Sequence, residues 1–445
     1  MTYSPFTTTL PSGWFDLLGL HRLNPARYPY LLESVVHGTS SARYDILFAF
    51  PGETLTLNDP READFLGRLD RWWTEQRTAI APLGDFPFQG GWFIYLGYEL
   101  AEQIEPSLRL SATNSSLPIA FATRIPAAVI RDHVAQKTFI ISERPELLEA
   151  ITADVQTLSK PTISQPALVK TMLQEEPPQD FLNGVQRILR YIREGDVFQV
   201  NLSRAWRGEL HQVVSAADVY QRLREANPAP FAGLAVYGDS AIISSSPERL
   251  VCVRGDYVAT RPIAGTRPRR ENHGADAADI QTLLAHPKER AEHIMLIDLE
   301  RNDLGRVCVP GSVRVEELMT TESYAHVHHI VSSVSGRLRP GVTPGQVIRA
   351  VFPGGTITGC PKVRCMEIIA ELEQTARGPY TGAMGYLNRD GSMDLNILIR
   401  TLVKQDKQIS LRAGAGIVAD SIPERELEET RAKARGLLRA LGAAA

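Results

Sequence analysis

Cysteine is scarce: Cys252, Cys308, Cys360 and Cys365 are the four present in 445 residues. No two of them form a CxxC pair, so neither a disulfide framework nor a structural zinc site is expected, and reduced, buried thiols are the plain reading. None stands in a Gly-Xaa-Cys-Xaa-Gly nucleophile setting either. An excess of one charge is lacking too. The formal net charge of −3 gives no reason to expect nucleic acid or an anionic membrane as a partner. No stretch is long and apolar enough to span a bilayer, and Met1 to Phe15 has neither a basic opening nor a sustained apolar run. A cytoplasmic protein is expected. No repeat of solenoid length is visible.

What is present is a chain that is 43% hydrophobic and long enough for two or three domains or one unusually large one. Leu158 to Gln179, with Pro161, Pro166, Pro177 and Pro178, has the composition of a connector between an N-terminal domain, 1–157, and a second domain, 180–445. From Trp14 to Glu143 short strands and turns prevail, among them Arg43–Phe50 and the glycine-punctuated aromatic run Phe88–Tyr98. Beyond the connector, Phe181–Arg193 reads as an amphipathic helix and Val197–Leu202 as a strand. Strands follow at Leu234–Tyr237, Ala241–Ser245 and Leu250–Val253, then a long helix over about Ala275–Leu299. Two strands flank Asp390-Gly391, a third starts at Ile409, and a helix from Pro423 closes the chain. This mixture points to an α+β fold with sizeable, largely antiparallel sheets.

In Phe352–Lys362, Gly354, Gly355 and Gly359 with Thr356 and Thr358 run into Pro361, which suits a first helical position; Val363, Met366, Ile369 and Leu372 then recur at helical spacing. A glycine loop feeding a helix N-terminus aims N–H groups at one point, an anion site. Cys360 and Pro361 separate the last glycine from Lys362, so this is no P-loop, and by itself the stretch reads most simply as a tight turn. Acids line two helices. Glu289 and Glu292 share one face; Ser421–Glu424 has the capping-box pattern, and Glu426, Glu429 and Lys433 form a stripe behind it. Singly, such a stripe is an ordinary solvated face. If the helices converge, oxygen-only ligands favour Mg²⁺ bridging to an anionic substrate, with Arg400, Tyr380 and the glycines of Ala413–Gly416 as further candidates for a carboxylate cradle.

Four motifs then stand in order: Pro262–Arg269, Asp298–Leu304, Gly355–Lys362 and Ala413–Ser421. Together they closely resemble the chorismate-utilising enzymes over about Asp180 to Leu441, while the N-terminal part resembles the aminating branch, the large subunits of anthranilate synthase and aminodeoxychorismate synthase. The resemblance implies an anthranilate synthase component I-like fold, a sandwich of mostly antiparallel sheets flanked by helices. It implies Glu292 and Glu429 as Mg²⁺ ligands, with Glu289 and Glu426 as nearby acids. Arg400, Tyr380 and Lys433, with the N–H groups of Gly414 and Gly416, match positions that hold the enolpyruvyl side chain; Gly265, Thr266 and Thr356 match ring-contacting positions. Glu248 and His329 match the proposed acid/base residues. Where the water-using branches carry a lysine, this chain has Gln199, and an amide is no general base. Ammonia is therefore the expected nucleophile, delivered by a separate class I glutamine amidotransferase subunit or taken as free ammonium.

Two products compete. Ala264 replaces the lysine that many aminodeoxychorismate synthases carry, and Leu32, Glu33 and Ser34 resemble the tryptophan-binding element of anthranilate synthases. Phe88–Gly91, Ile357-Thr358-Gly359 and Met393–Thr401 look more like the aminodeoxychorismate enzymes, as does Asn227–Phe231 in departing from the tryptophan-regulated pattern. The expectation is aminodeoxychorismate synthase component I, a transferase of p-aminobenzoate and folate biosynthesis, by a lysine-independent route and with tryptophan as a candidate structural ligand. Anthranilate synthase component I is the alternative, and a silent chorismate or tryptophan sensor a further one.

Overall fold

The computed structural model describes residues 4–10, 15–35, 43–79, 85–113, 115–158, 168–171, 173–211, 213–268, 287–323 and 327–442; for 264–268, 287–289, 323 and 327–329 it describes the backbone alone. Two large sheets dominate, and every pairing within them is antiparallel. The first, of 12 strands, runs from Phe6–Thr9 at one edge through Tyr30–Glu33, Phe231–Tyr237, Ser240–Ser246, Thr401–Gln405, Gln408–Ile417 and Gln199–Glu209 to Gly359–Cys360 at the other. The second, of 10 strands, runs from Ile263–Pro268 through Val327–Arg337, Tyr257–Arg261, Arg249–Arg254, Met393–Ile397, Ala383–Asn388 and Gly91–Leu96 to Thr54–Leu57. Both sheets take strands from either side of residues 158–179.

The inner faces meet in an aromatic layer. Tyr30 stacks on Phe93 with ring centroids 4.1 Å apart, and Phe48 meets Phe88 and Phe93 edge-on at 5.0 and 5.5 Å. Each such ring, fully buried, contributes about 1.5–3 kcal/mol, which is why the aromatic runs of the N-terminal half set the sheet spacing. Helices Leu17–Leu23, Pro145–Thr157, Ala216–Ala226 and Pro423–Ala440 cover the outer face of the first sheet, and Phe65–Gln76, Pro287–Gly305 and Pro344–Val351 that of the second. The result is an α+β sandwich with helices outside, as expected.

Local boundaries differ from the sequence reading in instructive places. The long helix continues past Leu299 to Gly305, while its expected start, 275–286, lies outside the described residues. Pro361 is not a first helical residue; it is the N-cap of Lys362–Glu373, at ψ 140°, because Gly359–Cys360 just before it pairs with Gln199–Val200. The capping box at Ser421 does not form. Its hydroxyl instead accepts from the Val418 N–H at 3.1 Å, and Ile422 takes the N-cap position without a side-chain cap.

Candidate active site

Gly414 and Gly416 form the floor of the site. They lie in the Gln408–Ile417 strand, opposite Ser203 and Asn201 of Gln199–Glu209. A Cβ at Gly416 would stand 2.4 Å from Gln199 Nε2 and 3.6 Å from Glu292 Oε1. At Gly414 it would stand 2.7 Å from each of Asn201 Oδ1, the Leu202 carbonyl oxygen and the Tyr380 hydroxyl. Only glycine lets these groups close on the strand.

The two acidic helices converge here. Gln199, 4% exposed, donates through Nε2 to Glu292 Oε1 at 2.8 Å, which ties Pro287–Gly305 to Gly416. From the other helix, Lys433 Nζ donates to the Gly414 carbonyl at 3.0 Å and pairs with Glu429 at 2.7 Å. The Glu429–Lys433 pair is thus ordinary in form, yet it sits two residues along the strand from Glu292. Glu426 is half-buried in the first turn of that helix.

Glu248 sits where the chain passes from one sheet to the other, between Ser240–Ser246 and Arg249–Arg254. It is buried, its N–H is taken by the Ser246 hydroxyl at 3.2 Å, and its Oε1 accepts from the Ile263 N–H at 3.3 Å. Burial pushes its carboxyl up to about 7, against the opposing pull of the Thr356 hydroxyl, the Ile263 N–H and the Lys433 charge. A carboxyl that still holds its proton near neutrality can serve as a general acid.

Arg400 adopts left-handed φ of 52°, held by its carbonyl's bonds from Ser245 N–H at 3.1 Å and hydroxyl at 3.3 Å. Burial lowers its pKa, and its guanidinium has no ion pair or side-chain hydrogen bond among the described residues. A desolvated arginine without a carboxylate is a receptor for one. Tyr380, buried, is backed by Arg377, whose guanidinium lies 5.5 Å from its ring centre and is itself locked to Glu373 at 2.6 Å and the Asn201 carbonyl at 2.8 Å. Arg412 completes that buried network at 2.9 Å from Glu373.

The glycine loop contributes differently than expected. Thr356 lies near enough to Glu248 to act on its charge, though its hydroxyl makes no hydrogen bond among the described residues, whereas Thr358 is fully buried and its hydroxyl donates to the Gly354 carbonyl at 2.9 Å, so it shapes the turn. The anion-cradle geometry is absent because a two-residue strand separates the loop from the helix. For Ala264, Gly265, Thr266, Glu289 and His329 the side chains lie outside the described residues; the backbone sets Thr266 opposite His329 and Ala264 opposite Ile330.

Among the described residues no three His, Cys, Asp or Glu side chains cluster as a closed metal site. Carboxylates on two helices facing glycine-opened strand nonetheless provide the hard oxygen donors that suit a partly hydrated Mg²⁺, so the chemistry of the donor set fits.

Elsewhere, Leu32, Glu33 and Ser34 line a cavity of about 540 Å³ between the sheets, with Phe231, Arg249, Met384, Tyr386 and Asp394. The Ser34 hydroxyl donates to the Pro230 carbonyl at 3.1 Å, and Glu33 accepts from the Tyr220 hydroxyl at 2.7 Å and Arg224 at 3.1 Å. Three further buried polar groups lie beside the active site: His293, whose Nε2 meets the Ser332 hydroxyl at 2.5 Å, Asn201, and Glu300. Glu300 carried a signal, lying two helical turns beyond Glu292.

Fold and site together define an enzyme for a small, carboxylated substrate. The chorismate binding enzyme family matches residues 29–439, and the chain belongs to that family. It is 41% identical over 394 residues to aminodeoxychorismate synthase component 1 of Bacillus subtilis, covering 86% of this chain and 83% of that one. Similarity to anthranilate synthase component 1 of Thermus thermophilus is 38% over 437 residues, covering 93% and 92%. Among solved structures, anthranilate synthase component I of Streptococcus pneumoniae superposes with a TM-score of 0.79 at 33% identity, over 91% of this chain and 94% of that one. The menaquinone-specific isochorismate synthase of Escherichia coli shares the fold, with a TM-score of 0.75 at 18% identity, over 99% of this chain and 95% of that one.

Proposed function

We propose that this chain aminates chorismate with ammonia to give 4-amino-4-deoxychorismate, as an aminodeoxychorismate synthase component I. The observation that carries amination is Gln199. It is buried, bonded at 2.8 Å to Glu292 and packed on Gly416, a position from which a lysine could activate water but an amide cannot. Ammonia needs no such base. Arg400, Tyr380 and the strand at Gly414–Gly416 bind and orient the carboxylates of the dianion, and Lys433 fixes that strand through the Gly414 carbonyl. Glu248 delivers a proton to the departing hydroxyl oxygen, while His329 is the companion acid/base candidate. Glu292 and Glu429 would hold Mg²⁺, with Glu289 and Glu426 nearby; bound there, it would neutralise carboxylate charge on the ring. A separate class I glutamine amidotransferase would supply the ammonia.

The 4-amino product is favoured by the Ile357-Thr358-Gly359 and Met393–Thr401 sequences and by the Bacillus subtilis relative. Anthranilate is the second reading, favoured by Ala264, which cannot add covalently to the ring, and by the cavity at Leu32–Ser34, which has room for an indole amino acid such as tryptophan. The intact acid, cation and carboxylate set weighs against a silent sensor. Incubation with chorismate, Mg²⁺ and ammonium discriminates the products. p-Aminobenzoate formed only after an aminodeoxychorismate lyase is added supports the proposal; fluorescent anthranilate formed without a lyase overturns it.

A further inference from the structure

Gln199 and Asn201 stand two residues apart on one strand, so their side chains leave the same face, the one that carries Gly416 and Gly414 on the neighbouring strand. Both are buried, at 4% and 8% exposure, and each keeps an amide oxygen that makes no hydrogen bond among the described residues: Gln199 Oε1 and Asn201 Oδ1. A buried acceptor left open costs stability, so two of them over one glycine floor point to a ligand. Asn201 Oδ1 and the Tyr380 hydroxyl would each lie 2.7 Å from a Cβ on Gly414, which sets Asn201 beside the groups that hold the substrate.

The ligand's chemistry follows from the two atoms. Acceptors call for donors, and the carboxylates of a dianion have none. The ring hydroxyl of chorismate brings a single O–H, whereas ammonia brings three N–H groups. Residues two apart along a strand have Cα atoms roughly 7 Å apart, and two N–H···O bonds of about 2.9 Å span about 6 Å, so one nitrogen can bridge side chains at this spacing. Glu292 fixes which way the Gln199 amide faces: a carboxylate accepts only, so it takes Nε2, at 2.8 Å, and leaves Oε1 free. Amides also suit the task better than charged groups. A carboxylate would favour ammonium, whose nitrogen has no lone pair to offer, and a lysine would donate a proton to that lone pair. An amide oxygen takes N–H groups and leaves the lone pair for the ring.

Resting on the chorismate-amination reading, we propose that Asn201 Oδ1, together with Gln199 Oε1, accepts N–H groups of ammonia, making this stretch of strand the receiving site for the nucleophile. The ammonia lone pair forms the C–N bond as the hydroxyl leaves, taking the Glu248 proton to become water. One proton from nitrogen returns to the Glu248 carboxylate, so chorismate and ammonia give the aminated ring and water with nothing else consumed.

Initial rates of chorismate consumption with Mg²⁺ test this, with ammonium varied at saturating chorismate and chorismate varied at saturating ammonium. Asn201→Leu removes the acceptor and breaks no side-chain bond seen among the described residues. KM for ammonium should rise about three- to tenfold, the worth of one hydrogen bond, while KM for chorismate stays as it is. Asn201→Ala removes the same oxygen without adding bulk and should give the same rise, which covers a leucine that does not pack. A lost structural role would lower folding stability or kcat without singling out ammonium. An unmoved KM for ammonium, or a rise in KM for chorismate alone, overturns the proposal. A wild-type chain that consumes chorismate equally well without ammonium overturns the amination reading and this site with it, a result visible before any variant is made.

Discussion

Adding one methyl group at Gly414 is the sharpest perturbation of the site. The new Cβ would lie 2.7 Å from Asn201 Oδ1, the Leu202 carbonyl oxygen and the Tyr380 hydroxyl. Real Cβ atoms essentially never come within 3.0 Å of such neighbours, so every one of the three oxygens must give way. Asn201 and Tyr380 could swing away, but Leu202's oxygen belongs to the paired strand and cannot. Gly414→Ala is therefore expected to cost about 1–3 kcal/mol of stability, as overpacking does, and to displace Tyr380 by a sizeable fraction of an ångström. Misplacement on the order of 1 Å costs catalysis about a hundredfold. At Gly416 the nearest atom, 2.4 Å away, is the end of the flexible Gln199 side chain, so Gly416→Ala should cost less stability while breaking the Gln199–Glu292 bond. Denaturant unfolding and kcat/KM for chorismate read both effects. Wild-type stability and activity in Gly414→Ala would refute the reasoning that these glycines exist for close approach.

Other consequences follow from the same geometry. Glu248→Gln should abolish turnover yet stabilise the fold at pH 8. Its folded carboxyl holds a proton up to about 7, whereas the unfolded chain ionises near 4.5, so folding stability falls as pH rises through that window, by up to about 3 kcal/mol. Urea melts at pH 4 and pH 8 check this, the variant's advantage appearing only at the higher pH. Gln199→Ala removes the bond that orients Glu292, and the Mg²⁺ concentration for half-maximal activity should rise about ten- to a hundredfold. For Arg400→Ala, loss of charge-assisted bonds worth about 1.5–3 kcal/mol should raise KM for chorismate by roughly ten- to a hundredfold, while unfolding midpoints change little because the guanidinium has no protein partner among the described residues.

Much of the architecture is legible in the residues. The aromatic run Phe88–Tyr98 and the apolar Ala241-Ile242-Ile243 mark buried strands, and the closing helix shows its buried stripe through Leu427, Ala434 and Leu441, with Leu438 partly buried. The acids are legible too, as stripes at Glu292 and at Glu426–Lys433. Their convergence is not, because it depends on the long-range pairing of Gln199–Glu209 with Gln408–Ile417, which no local pattern encodes. Ser421 shows how a local signal loses: its hydroxyl is drawn to the Val418 N–H by the turn entering the helix, so the capping box yields to tertiary context. Pro361 is displaced from the helix for the same kind of reason, since Gly359–Cys360 must reach the sheet edge.

The central claim is that this site joins nitrogen, not water, to chorismate, and isotopically labelled ammonium tests it most directly. With chorismate and Mg²⁺ supplied, mass spectrometry should find the label on the ring carbon that bore the hydroxyl, and no chorismate consumption when ammonium is left out. An unlabelled, hydroxylated isomer formed without ammonium would contradict the account.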